Sequence, residues 1–319
     1  MSLRSSEYLS KIKFLTKRGY FSSLIAEIYS LNSIAIEYFS KRLSKVGISE
    51  KRGFFKAILP TFIFSIIDSL APYLRLSTAR VVKEYMSLID IIGDPEEDFI
   101  NYTYAEEVET ALDTLRWMSK LSDSMKIAIS KAISIVSDVL YLKGTKLSDI
   151  CSLAETLSSK ILEEISLIYT YSEIRKKSFI IGLLLKTKYS EDGSPIDILR
   201  LSLLALPGIN QRIANLYLYY LAKVLFRDHK YLSSLHVPID PYVVRPVTRI
   251  GIVSKLPSNP KFSSSRYREL QAVAKILFPE DPTALYALKL IGLKFCKHKP
   301  ICDACPLFFN CDYALTSSE

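Results

Sequence analysis

Apolar residues recur along this chain at intervals of three and four. In SDSMKIAISKAISIVSDVLYL, Ile129, Ile133, Val136 and Leu140 share one helical face, behind Ser122 or Asp123 as an N-cap. Long alternating runs are absent, so the expected class is all-α. The segment FFKAILPTFIFSIIDSLAPYL approaches the apolar density of a membrane span. A span needs about 20 clean apolar residues. This one contains Pro60, Asp68 and Pro72 and starts beside Lys56. It reads as a buried helix, with no membrane expected as partner.

Breaks in the pattern divide the chain into three blocks. The first is helical and ends at IIGDPEED, where Gly93 and Pro95 punctuate. The second, from about 105 to 235, is a series of helices broken at LKGTKLSD, SEDGSP and LPGIN. The third runs from HVPIDPY to the end. A chain of 319 residues is long enough for two domains.

Charge changes the picture. The net charge is +9, which favours a polyanion, mainly nucleic acid. Lys294, Lys297, His298 and Lys299 cluster beside the densest run of cysteines, FCKHKPICDACPLFFNC. Four of the five cysteines lie there: Cys296, Cys302, Cys305 and Cys311. The opening MSLRSSEYLSKIKFLTKRGY has no apolar signal region, so an intracellular, reducing setting is expected and disulfides are disfavoured. Structural zinc usually brings two short C-x2-4-C knuckles, and only Cys302 and Cys305 form one. An iron–sulfur cluster takes four thiolates from one compact run. The spacing C-x5-C-x2-C-x5-C suits a cluster, yet spacing alone leaves zinc and iron–sulfur both open.

Two further stretches carry candidate chemistry. LLALPGINQRIANLYLYYLAKVL, residues 203–225, reads as helix, tight turn, helix. Gly208 tolerates positive φ, and Asn210 is among the few other residues that do so cheaply. Amides at a turn feeding a helix N-terminus can hold a phosphate; an ordinary helix connection is the plainer reading. In HVPIDPYVVRPVTRIG, Asp240 precedes Pro241 and is placed as an N-cap with proline at the first helical position. A carboxylate aimed at a centre that develops positive charge is the sharper reading.

The glycine hairpin, the Asp-capped helix and the terminal four-cysteine loop stand in the order that resembles the helix-hairpin-helix DNA glycosylase superfamily, in the branch of endonuclease III and the adenine glycosylases. LPGINQRIAN resembles the family hairpin. IDPYVVRPVTRIG resembles the stretch where the catalytic aspartate precedes a helix with two arginines, here Arg245 and Arg249. The helix 171–185 and the segment 117–124 with Trp117 overlay the family's six-helix barrel more loosely. The resemblance covers roughly 110–319.

The resemblance implies an N-terminal helical extension at 1–100. A six-helix barrel domain would follow at 101–236, and a domain with the Asp helix and a 4Fe–4S cluster at 237–319. It implies a DNA repair glycosylase that flips a damaged or mispaired base from double-stranded DNA and acts as a monomer. Asp240 would be catalytic. Leu206, Gly208, Asn210, Lys297 and Lys299 would bind DNA, and Cys296, Cys302, Cys305 and Cys311 would ligate the cluster. Departures from the pattern are a first cysteine spacing of five where the family usually has six, Asn210 for a glycine, Pro246 inside the Asp helix, and Leu121 where a glutamine often stands. Arg212 occupies the position of the Schiff-base lysine, and guanidinium cannot attack as a free amine. Arg212 is therefore assigned to the site of a monofunctional enzyme. A catalytically degenerate DNA-binding paralogue with a structural cluster is the alternative.

Overall fold

The computed structural model describes residues 21–92, 120–141 and 147–317. The boundary expected at Gly93 and Pro95, and Trp117, lie outside the described residues. Every regular element among the described residues is helical, so the chain is all-α. The described residues fall into two compact units. One runs from Phe39 to Ser234; the other joins residues before Phe39 to those from Leu235 onward. Helix α1 (Phe21–Lys45) carries residues of both.

The Phe39–Ser234 unit contains α2 (Phe54–Leu70), α3 (Thr78–Ile92), α4 (Asp123–Tyr141), α5 (Ile150–Glu163), α6 (Tyr171–Lys188), α7 (Pro195–Ala205) and α8 (Gln211–Leu218). The last continues as a π-helical segment, Tyr219–Leu225. The membrane-like stretch is α2, buried along almost all its length. Its carboxylate, Asp68, is paired in the core. Arg42 lies 2.7 Å from Oδ1, and the Tyr220 hydroxyl donates to Oδ2 at 2.7 Å. Among the described residues no helix is long and apolar enough to cross a membrane.

The predicted face of α4 is buried at Ile129, Ile133, Val136 and Leu140. Helix α5 starts in a capping box. Asp149 Oδ1 accepts from Ser152 N at 2.8 Å, and Asp149 N donates to Ser152 Oγ at 3.1 Å. It buries Leu153, Leu157 and Ile161 and packs closely against α7, which also meets α6. Each fully buried aliphatic side chain contributes about 1.5–3 kcal/mol, so this α5–α7 contact anchors the hairpin that α7 enters.

The other unit holds the first part of α1, then α9 (Pro241–Arg249), α10 (Ser265–Leu277), α11 (Leu288–Lys294) and α12 (Asp312–Ser317). Helices α9 and α11 pack closely. A Cβ on Gly292 of α11 would stand 1.8 Å from the Tyr242 carbonyl oxygen of α9, so only glycine fits. Pro246 has no N–H to give that carbonyl. The proline in α9 and the glycine in α11 thus serve one contact.

Candidate functional site

The hairpin lies between α7 and α8. Gly208 has φ +68, as the sequence predicts. An added Cβ would also lie 3.2 Å from the Ala128 side chain, so a larger residue would have to push that neighbour back by a few tenths of an ångström as well as strain the backbone. Asn210 differs from expectation. Its backbone is extended, with φ −113 and ψ 175, and it works as the N-cap of α8. Its Oδ1 accepts from Arg212 N at 2.9 Å and Ile213 N at 3.2 Å. Asparagine is here for its side-chain oxygen, and tolerance of positive φ plays no part.

From residue 198 to 225 every residue is buried except Gly208 and Asn210. Among the described residues no hydrogen bond within the chain uses the amide of either. The hairpin therefore meets solvent at two positions, each with an unspent N–H. Behind the turn the carbonyls are taken. Lys177 of α6 donates from Nζ to Leu204 O at 2.6 Å, Leu206 O at 3.1 Å and Ile209 O at 3.1 Å. The Tyr169 hydroxyl donates to Ala205 O. Burial lowers the Lys177 pKa to about 8. The three carbonyl dipoles favour the charged form, so Nζ is an ammonium at neutral pH.

The sequence-derived hairpin residues take different places. Leu206 is fully buried and contributes its carbonyl to this network. Arg212 is 1 % exposed. Among the described residues its Nε and both Nη atoms have no hydrogen-bond partner, and the guanidinium lies 4.8 Å from the centre of the Tyr73 ring. Cation–π contact offsets part of the cost of burying that charge.

In the other unit, Asp240 caps α9 as the sequence predicts. Oδ1 accepts from Tyr242 N at 2.8 Å and Val243 N at 3.1 Å. Oδ2 lies 3.3 Å from Lys289 Nζ, with the two side chains 1 % and 3 % exposed. Lys289 also donates to the Tyr286 hydroxyl at 2.7 Å. Sequence reading missed Lys289. Its signal was a lysine set inside the apolar run YALKLIGL, where a charge needs a buried partner.

The four terminal cysteines come together. Cys296, Cys302, Cys305 and Cys311 border one small pocket, partly open to solvent and walled by Pro246, Ile250, Ile291, Phe295 and Leu307 among others. All the described cysteines are free thiols. Burial pushes the Cys305 and Cys311 thiols up, and the neighbouring thiolates push the same way. Among the described residues no three His, Cys, Asp or Glu side chains form a group that could hold a metal ion as they stand. Arg249, at the end of α9, ties the loop down. Its Nη1 donates to Cys296 Sγ at 3.4 Å and Lys297 O at 2.7 Å, and its Nη2 to His298 O at 3.2 Å. Lys297 and Lys299 are exposed on that loop. Comparison with known protein families, curated proteins and solved structures finds no match to this chain.

Proposed function

We propose that this protein binds double-stranded DNA through its sugar–phosphate backbone. The observation that carries this reading is the hairpin, buried throughout except at Gly208 and Asn210, whose amides are unspent. Two N–H groups beside a helix N-terminus can seat a phosphate oxygen, and such contacts position a duplex without reading its sequence. The net charge of +9 and the exposed Lys297 and Lys299 act in the same direction.

The cysteine loop holds a 4Fe–4S cluster in this reading, with Cys296, Cys302, Cys305 and Cys311 as ligands. By residue type the donors suit a cluster: four free thiols border one largely apolar pocket, with an arginine N–H on one sulfur, although as they stand no three of them form a metal-holding group. The cluster would stiffen the loop that presents Lys297 and Lys299.

Base excision at Asp240 is the second reading. It is favoured by a carboxylate fixed by two backbone amides at a helix N-terminus, the placement that suits a cationic sugar centre. Against it, Oδ2 already faces the Lys289 ammonium, so DNA binding without excision is the better-supported function. Should excision occur, Arg212 offers no amine for strand cleavage, and the enzyme is monofunctional.

Asn210→Asp tests the hairpin. Aspartate caps a helix as asparagine does, so α8 persists while a negative charge meets the phosphate. Fluorescence anisotropy with a labelled duplex should show at least tenfold weaker binding; binding equal to the parent overturns the proposal. Duplexes carrying uracil, thymine opposite guanine, 8-oxoguanine or a hydroxylated pyrimidine separate the two readings. Excision that is lost in Asp240→Asn establishes the second; tight binding with no excision establishes the first. Protein prepared anaerobically should contain iron and acid-labile sulfide, and lose both when Cys302 and Cys305 become serine.

A further inference from the structure

The Lys177 ammonium supplies three donors and no acceptor, and each donor has one main-chain carbonyl: Leu204, Leu206 and Ile209. Those carbonyls bracket the turn. Leu204 belongs to the last turn of α7, where helix carbonyls lack intrahelical partners. Leu206 and Ile209 flank Pro207 and Gly208. With Tyr169 on Ala205, four carbonyls around the hairpin are engaged by side chains from outside it. The amides of Gly208 and Asn210 are left over.

Three backbone oxygens converging on one point make a site for a hard cation, because carbonyl oxygens can replace an ion's hydration shell. Here the cation is covalently attached to α6. We propose that Lys177 is a positioning residue for the hairpin: a tethered cation that fixes the 204–209 main chain and adds a positive charge behind the phosphate-facing amides, so that no free monovalent ion is needed there. The phosphate part of this inference rests on the DNA-binding reading; the fixing of the main chain does not. A buried lysine that merely fills space would be replaceable by methionine with the hairpin unchanged.

The experiment uses the full-length parent, Lys177→Met, Lys177→Ala and Lys177→Arg. Each is assayed in potassium chloride and in tetramethylammonium chloride at one ionic strength. Hydrogen exchange at the bonded amides of Leu206, Ile209, Arg212 and Ile213 reads the hairpin; duplex anisotropy reads the grip. Lys177→Met should exchange at least tenfold faster at those amides and bind duplex about tenfold more weakly. Lys177→Ala leaves a carbonyl-lined space that potassium can enter and tetramethylammonium cannot. Its slow exchange and affinity should return in potassium alone, while the parent is indifferent to the swap. Lys177→Arg, which keeps the charge, should lie between parent and Lys177→Met. Hairpin exchange as slow as the parent's in both Lys177→Met and Lys177→Ala overturns the inference, as does a parent that itself needs the small cation. General unfolding would raise exchange at every amide, and in that case the potassium rescue of Lys177→Ala decides. A parent that binds no duplex in either salt removes the DNA-binding reading, and the exchange data alone then decide whether Lys177 fixes the turn.

Discussion

Removing both members of the Asp240–Lys289 pair should destabilise the unit that contains it no more than removing either one. Two charges sit 3.3 Å apart with almost no solvent contact, so screening by water is slight. Deleting one partner of a buried pair leaves an uncompensated charge, at a cost of about 3–5 kcal/mol. Lys289→Met strands the carboxylate, though Tyr242 N and Val243 N still donate to Oδ1. Asp240→Asn keeps the cap, since asparagine caps well, but takes away the carboxylate that faces the ammonium, which keeps the Tyr286 hydroxyl among its partners. Both losses therefore belong at the lower end, about 3 kcal/mol each. The double variant carries no buried charge at this place and should cost no more than either single. The coupling is then about 3 kcal/mol, the upper end for residues in contact.

Hydrogen exchange at the amides of α9 is the suitable assay, because it reads the opening of that region directly. A loss of 3 kcal/mol corresponds to exchange about a hundredfold faster. Two single variants that each speed exchange less than threefold, and whose effects add in the double, would refute the argument. The pair would then be a contact without energetic weight, and Oδ2 would be available to a substrate at little cost. This cycle thus also bears on the excision reading: strong coupling measures what such chemistry would have to overcome to release the carboxylate.

Gly292→Ala drives a methyl to within 1.8 Å of the Tyr242 carbonyl; α9 and α11 must part, and a loss of about 3 kcal/mol or more in urea unfolding is expected. Asn210→Ala removes the cap of α8 and should cost about 1 kcal/mol, against a few tenths for Asn210→Asp, measured the same way. Lys177 titrates near 8 in the folded chain against 10.5 unfolded. Between those values the unfolded chain binds more protons, so stability rises with pH there; the parent-minus-Lys177→Met difference, from thermal melts at pH 8 to 10, should grow, and a flat difference would contradict the burial of the ammonium. Arg249→Met removes the N–H on Cys296 Sγ and both carbonyl contacts to the loop; iron per chain after anaerobic purification should fall relative to the parent.

The helical class was legible because periodicity is local: the face of α4 and the start of α9 follow from residues within a few turns of one another. The hairpin glycine was legible for the same reason. Asn210 was misread although the information lay beside it. Asparagine serves both positive φ and capping, and the helix restarting at Gln211 favoured the cap. What no local pattern shows is which charged side chains turn inward. Lys176 and Lys177 are adjacent in the sequence, yet Lys176 is exposed and Lys177 meets three carbonyls.

The same limit applies to Asp240, and it bears on function. From sequence, Asp240 is an aspartate before a proline, equally fit to cap a helix or to serve chemistry. The outcome depends on the other oxygen, and its partner Lys289 comes from a helix remote in sequence. Gly292, on the same short helix, brings α11 against the first turn of α9. The residues that decide whether the carboxylate is free are therefore a lysine and a glycine in α11, neither of which carries chemistry itself. Replacing Lys289 with an apolar residue would leave a carboxylate with one oxygen unengaged, which is the arrangement the excision reading requires.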